Sequence, residues 1–233
     1  MESRLSIVEH LEELRSRLIK AAASVIIMSA AAYIFVDEIL AVIVKPVGHL
    51  VFIAPQEAFV SRLKLCIFLG LFLSAPLVLY QIWKFISSAL KRNEKRYVMI
   101  FAPLSYIFFL SGSVFGYFTI IPVGIKFLLS FASETIIPMI TFSQYISFVG
   151  VIVIASGAIF DFPIASLFLT KIGLISSETL SEKRKHAIVI IFIFAAFITP
   201  PDVITQILLA LPLMVLYEVS ILFSRFAERF GGR

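Results

Sequence analysis

Long apolar runs recur along this chain of 233 residues, and they constrain its fold more than any other feature. A helix needs about 20 apolar residues to cross the hydrocarbon core of a bilayer, because each residue advances it by about 1.5 Å. Charged residues make up 15% of the chain, against about 25% in a typical soluble domain. We therefore predict an all-α, polytopic membrane protein. No internal repeat is found, so one domain over residues 1–233 is the simplest organisation.

Charged and proline-containing segments divide the apolar runs into six predicted transmembrane helices. A short amphipathic helix over residues 1–17 is expected to lie on the cytoplasmic surface before the first span. The segments that follow spans 1 and 3 are too apolar for solvated loops, so we expect ordered external caps on a concave bundle. Gly112 and Gly116 have the spacing that lets two helices approach closely. The predicted spans cover approximately residues 18–36, 62–85, 97–121, 143–169, 187–199 and 203–223.

The basic residues indicate which side of the membrane each segment occupies. Lys and Arg gather on the cytoplasmic side of membrane spans. Six spans place both termini in the cytoplasm, and all four basic clusters then fall on that side of the cell membrane. The net charge of +5 is therefore a topology signal and does not imply nucleic-acid binding. The clusters contain Arg4, Arg15, Arg17 and Lys20; Lys84, Lys91, Arg92, Lys95 and Arg96; Lys171, Lys183, Arg184 and Lys185; and Arg225, Arg229 and Arg233.

The second basic cluster surrounds a single carboxylate. Residues 79–96 read LYQIWKFISSALKRNEKR, in which five cations accompany Glu94. Neighbouring positive charges favour the ionised form of an acid, so Glu94 should stay charged. Two interpretations are open at this point: a solvated loop with an incidental Glu, or a carboxylate that is held ready for a cationic ligand.

Several motifs, in order and spacing, resemble the TatC family, the multi-span subunit of the twin-arginine protein translocase. The first is HLEELR at residues 10–15, and the second is the loop just described. The resemblance covers nearly the whole chain. The other matching pieces are Pro76, Tyr80–Phe85, Glu94–Arg96, Phe115–Phe118 ahead of Pro122, Tyr145–Phe148, Thr199–Val203, Gln206, Pro212 and Tyr217–Glu218.

The resemblance implies a receptor for the twin-arginine signal peptides of folded cargo proteins. It also implies that single-span TatA-type and TatB-type subunits are recruited, that the proton-motive force drives export, and that the chain uses no cofactor and is not an enzyme. In the family, two carboxylates meet the two arginines of the signal, and they match Glu13 and Glu94 here. Glu9 and Arg15 are placed with them in the candidate binding site.

Polar residues inside the predicted spans form further candidates. Asp161 lies in span 4, where an ionisable group should face the bundle interior or a wet cavity. The family generally has Glu at this position, and it usually has Pro at the position of Ser88. Gln206, with Thr205, is expected either to contact a partner subunit, as the resemblance implies, or to bond within the chain. Thr199 is assigned to the same contact, and the external turn consists of Pro200, Pro201 and Asp202.

Two other functions are considered for this chain. A proton-coupled secondary transporter would use a relay through Asp161, Glu218 and Gln206, and it would show paired broken helices in two related halves. A passive membrane scaffold would need no functional carboxylate. No catalytic triad, phosphate-binding loop or metal-ligand spacing is visible, and the single cysteine, Cys66, excludes an intramolecular disulfide.

Overall fold

The structure is a computed structural model, and it describes residues 7–88, 90, 95–133, 138–198 and 203–230. Within these ranges the chain forms ten α-helices, with a 3-10 turn between the first two and a π-helical turn between the fourth and fifth. The helices are α1 (Ile7–Ala32), α2 (Val36–Val44), α3 (Pro55–Ser88), α4 (Lys95–Phe115), α5 (Ile121–Leu129), α6 (Phe142–Phe160), α7 (Phe162–Lys171), α8 (Ser177–Glu182), α9 (Arg184–Ile198) and α10 (Val203–Phe230).

Five helical stretches within the described ranges are long and apolar enough to cross a bilayer. The predicted fifth span corresponds to α9, whose 15 residues are too few to meet the same criterion. At about 1.5 Å per residue, α9 is about 22 Å long, against about 30 Å of hydrocarbon. The all-helical membrane architecture is confirmed, and the sixth span stays a prediction. The five stretches are Val8–Val44, Pro55–Ser88, Val98–Leu129, Phe142–Lys171 and Val203–Arg229.

Helix α9 pairs with α10 in an antiparallel hairpin. Arg184, at the start of α9, forms an ion pair of 2.9 Å with Glu218, which lies late in α10. In the middle of α9, the Phe192 carbonyl oxygen accepts a hydrogen bond of 3.0 Å from the Gln206 amide, early in α10. The two contacts fix opposite chain directions, so α9 has the orientation that a fifth span requires.

Helix α1 runs without a break across residues 17 and 18, where the sequence prediction had divided a surface helix from the first span. The reason is local: no glycine or proline interrupts residues 7–32, and extending a helix costs less than nucleating a second one. Helix α1 packs antiparallel to α3. His10 stacks on Phe85, with ring centroids 4.7 Å apart. At the other end a Cβ on Gly70 would lie only 2.8 Å from the Ser29 backbone nitrogen.

Glycines also set the approach of α4 to α6. A Cβ on Gly112 would lie 2.5 Å from the Ser156 carbonyl oxygen, and one on Gly116 would lie 2.9 Å from the Ser156 hydroxyl. Neither position has room for a larger residue unless the helices move apart. The close contact predicted from the spacing of these glycines is therefore confirmed.

An aromatic cluster joins the helices at one end of the bundle. Trp83 of α3 stacks on Phe101 of α4 at 5.6 Å between centroids and meets Phe168 of α7 edge-on at 4.8 Å. The hydroxyl groups of Thr170 and Ser224 are hydrogen-bonded to each other at 2.9 Å, which ties α7 to α10. The start of α1 and the ends of α3, α7 and α10 thus lie together, and we call this the basic end. The cations on these helix ends include Arg15, Arg17, Lys20, Lys84, Lys171, Arg225 and Arg229.

Two connecting segments are tied together at the opposite end. Val51 accepts a hydrogen bond from the Phe142 N–H at 2.8 Å, and its own N–H donates to Ile140 at 3.1 Å. Glu57, at the start of α3, accepts from the Ser143 N–H at 3.0 Å and so satisfies a free donor at the start of α6. The described parts of these segments are therefore ordered, as the sequence analysis expected.

The contact between α4 and α6 yields a prediction about stability. Gly112→Ala would place a methyl group against the Ser156 carbonyl oxygen, so we expect it to lower the free energy of unfolding by about 1–3 kcal/mol. Ser111→Ala is the matched control, because Ser111 is exposed on the same turn. Thermal unfolding of the detergent-solubilised proteins measures both. Equal unfolding temperatures for the two variants would contradict the close approach.

Candidate functional site at the basic end

Glu13 is one of the two predicted receptor carboxylates, and the structure places it in a network that joins α1 to α3. Its Oε1 accepts a hydrogen bond from Arg17 Nη2 at 3.0 Å, one turn further along α1. Arg17 Nη1 donates to Gln81 Oε1 of α3 at 3.2 Å. The side chains of Arg17 and Glu13 are only 17% and 22% exposed. Glu13 is therefore already paired with a guanidinium, at a site largely shielded from solvent.

The end of α3 also approaches Glu13. Ser88, the last residue of α3, has its hydroxyl within hydrogen-bonding reach of the Glu13 carboxylate. That hydroxyl has one proton, which it donates to the Phe85 carbonyl oxygen at 2.7 Å, so Arg17 is the main partner of Glu13. The other predicted carboxylate, Glu94, lies outside the described residues. It follows Ser88 by six positions and directly precedes α4.

The remaining residues assigned to the binding site lie on the exposed side of α1. Glu9 and Arg15 are both exposed at the basic end, and Glu9 is one turn before Glu13. Of the five cations in the second cluster, Lys84 is the one whose side chain is described. Its ammonium lies 5.4 Å from the centre of the Tyr80 ring, which stabilises it by a cation–π contact.

Asp161 lies at the junction of α6 and α7. Its carboxylate lies within hydrogen-bonding reach of Ser105, whose hydroxyl accepts the Trp83 indole N–H at 2.8 Å. Its Oδ1 is buried and has no hydrogen-bond partner within the described residues. Asp161 also lines a cavity of about 670 Å³ between α7, α9 and α10. The cavity walls are mostly apolar and include Phe162, Phe194, Leu216 and Tyr217. Lys183 and His186 also line the cavity.

The structure describes two of the three residues that were predicted to contact a partner subunit. Thr205 is 2% exposed, so its side chain packs against other helices of this chain. Gln206 donates its amide N–H to the Phe192 carbonyl oxygen at 3.0 Å, which is the bonding within the chain that the sequence analysis had left open. Subunit contact by Gln206 stays a prediction. Thr199 and the predicted external turn, Pro200, Pro201 and Asp202, lie outside the described residues.

Sequence reasoning missed the pairing of Glu13. The spacing of Glu13 and Arg17, four residues apart on a helix, was a usable signal, because such residues are neighbours on a helix surface. No sequence signal identified Gln81, which is 64 residues from Arg17. Within the described ranges, no group of three His, Cys, Asp or Glu residues is placed to hold a metal ion.

Comparisons with known proteins agree with this arrangement. The family described as Sec-independent protein translocase protein (TatC) matches residues 9–212. The TatC protein of Carboxydothermus hydrogenoformans is 41% identical over 229 residues, which cover 96% of this chain and 94% of the relative. The TatC protein of Aquifex aeolicus is 37% identical, and the match covers 97% of both chains.

A solved structure is also similar. A crystal structure of the twin arginine translocase receptor TatC matches 95% of this chain and 100% of its own, with a TM-score of 0.86 and 37% identity. The family match covers well over half of the chain, and the relatives extend along almost all of it. The chain therefore belongs to the TatC family, and it is a multi-pass membrane component of the Sec-independent protein translocase rather than an enzyme.

Proposed function

We propose that this chain is the receptor subunit of a twin-arginine translocase. It binds the signal peptides of folded cargo proteins at the cytoplasmic face and recruits single-span TatA-type and TatB-type subunits for export driven by the proton-motive force. The observation that carries the proposal is the shielded Glu13 carboxylate at the basic end. Family membership supports it, since the similar crystal structure is described as a twin arginine translocase receptor.

The chemistry of Glu13 suits an arginine ligand. A carboxylate binds a guanidinium through charge-assisted hydrogen bonds, and both of its oxygens can take part in a bidentate pair. The Arg17 contact is an example of this recognition within the chain. Lysine cannot reproduce the planar, two-pronged geometry, so the same site favours arginine over lysine.

Glu94 supplies the second carboxylate in this proposal. Two arginines that are adjacent in a signal peptide need two acceptors close to each other. Six residues of extended chain span at most about 20 Å, and Glu94 follows Ser88 by that number of residues. Since the Ser88 hydroxyl is within hydrogen-bonding reach of Glu13, the loop is long enough to bring the two carboxylates together.

The orientation follows from the basic end. Lys and Arg stay on the cytoplasmic side of a membrane, and the ends of α3, α7 and α10 carry them together with the start of α1. Both termini are then cytoplasmic, and the Glu13 site opens to the compartment from which the cargo arrives. We expect the subunit to self-associate within a larger complex, as the family does.

The proton-relay alternative has less support. Glu218 pairs with Arg184 at 2.9 Å, and Gln206 bonds to the Phe192 carbonyl oxygen. The two side chains that would pass a proton to or from Asp161 therefore have other hydrogen-bond partners. The Glu13→Gln and Glu94→Gln variants described next distinguish a passive scaffold from a receptor, because a scaffold needs no functional carboxylate.

Removing either predicted carboxylate should weaken binding of a twin-arginine peptide. We expect Glu13→Gln and Glu94→Gln each to reduce affinity by about tenfold or more, because a hydrogen-bonded charge is lost. Fluorescence anisotropy with a labelled signal peptide and the full-length protein in nanodiscs measures this. Glu38→Gln, an exposed acid in α2, is the matched control. Affinities equal to that of the control would rule out the two-carboxylate receptor.

We expect Asp161 to be needed for export after the signal peptide has bound. Neither Glu13 nor Arg17 lines the cavity that Asp161 adjoins, so we expect Asp161→Ala to reduce export strongly and to leave peptide affinity within about twofold. Transport of a labelled precursor into inverted membrane vesicles measures export, and Asp161→Glu is the variant that keeps the acid. Full export by Asp161→Ala would contradict this role.

A further inference from the structure

We propose that Arg17 is an internal competitor for the signal peptide: its guanidinium occupies Glu13 in the empty receptor and has to leave when an arginine of the signal binds there. The inference rests on the proposed function and concerns the same site. Its basis is the Arg17–Glu13 contact of 3.0 Å, which gives Glu13 in the empty protein the type of partner that the ligand would supply.

The location of the pair favours competition between Arg17 and a signal arginine for Glu13. Both side chains are mostly shielded, with 17% of Arg17 and 22% of Glu13 exposed. A carboxylate oxygen can accept more than one hydrogen bond, but two guanidinium groups held side by side at one shielded carboxylate repel each other. An incoming arginine therefore has to displace Arg17, at least from Glu13 Oε1.

The internal pair is incompletely satisfied, so displacement is feasible. Arg17 gives Glu13 one N–H···O contact rather than the two of a bidentate pair. Its Nε is buried and has no hydrogen-bond partner within the described residues. A signal arginine that binds both carboxylate oxygens gains a stronger interaction than the one it replaces. Arg17 retains the Gln81 amide oxygen as an acceptor, so its charge is not left without a partner.

Competition of this kind would raise the binding energy that any ligand needs in order to occupy Glu13. The net binding energy at Glu13 is the difference between the new pair and the lost internal pair. A ligand that forms the weaker contact, such as a lysine, gains less than an arginine but has to displace the same Arg17. The internal arginine thus lowers the affinity for every peptide, and it can exclude those whose contact with Glu13 is no better than its own.

A different role for Arg17 predicts the opposite result. If Arg17 only orients Glu13, its removal leaves the carboxylate mobile, and peptide binding becomes weaker. If Arg17 competes, its removal frees the carboxylate, and binding becomes tighter. The sign of the change in affinity therefore distinguishes a positioning residue from a competitor.

The test compares Arg17→Gln with the unaltered full-length protein in nanodiscs. The probes are two fluorescent signal peptides that differ only in carrying an Arg-Arg or a Lys-Lys pair. We expect Arg17→Gln to bind the Arg-Arg peptide about two- to fivefold more tightly, as the loss of a partly exposed ion pair would allow. The Lys-Lys peptide should gain at least as much, so that discrimination between the peptides does not increase.

Lys20→Gln is the matched control, because it removes the same charge from an exposed position on the same helix. It measures the general effect of lowering the positive charge near the site, and the effect of Arg17→Gln must exceed it. In a Glu13→Gln background the Arg17 substitution should have no further effect, since the two residues act as one unit. If Arg17→Gln does not fold, Arg17→Lys replaces it, because lysine keeps the positive charge but binds a carboxylate less well, so the Arg-Arg peptide should again bind more tightly.

The outcomes separate this inference from the receptor proposal. If Glu13→Gln weakens binding but Arg17→Gln weakens it or leaves it at the level of the Lys20 control, Arg17 is not a competitor and the receptor site stands. If Glu13→Gln leaves binding unchanged, the assignment of Glu13 itself is wrong, and the inference falls with it.

Discussion

Hydrocarbon offers no hydrogen-bond partner, and the arrangement of polar groups in this protein depends on that constraint. A polar side chain within the bundle is stabilised when it finds a partner on another part of the chain. The Trp83 indole bonds to Ser105, the Tyr145 hydroxyl donates to the Ile43 carbonyl oxygen at 2.6 Å, and the Gln206 amide uses the Phe192 carbonyl oxygen. These bonds connect different helices, so satisfying polar groups also fixes the packing.

The same constraint places the candidate receptor site at the end of the bundle. Charges are tolerated where helices leave the hydrocarbon, and α1 and α3 leave it side by side because their close contact fixes their alignment. A glycine in α3 permits that contact near one end, and the stacking of His10 on Phe85 completes it at the other. The position of Glu13 thus follows from packing along the whole length of α1, including the part furthest from the site.

The sequence predicted what depends on local properties. Apolar length predicted the helices, glycine spacing predicted the close approach of α4 to α6, and an ionisable residue in an apolar run identified Asp161. It divided a surface helix from the first span at residue 17, where α1 is continuous because no residue there stops the helix. It also missed the pairing of Glu13, since the choice of Gln81 as an anchor is set by tertiary packing and not by sequence spacing.

Two acidic side chains of this chain show how burial changes what a carboxylate can do. Glu13 lies at the basic end, with 22% of its side chain exposed, and pairs with Arg17, so its charge is balanced before any ligand arrives. Asp161 keeps one oxygen without a partner among the described residues, in an apolar setting where an unsatisfied polar atom is costly. An exchange of partners at Glu13 leaves the number of charge pairs there unchanged, whereas a new hydrogen bond to Asp161 would add a contact that the described part of the chain does not provide. Glu13, at the end of the bundle, is therefore suited to reversible recognition. Asp161, between the helices, is suited to a step that rearranges the helices around it.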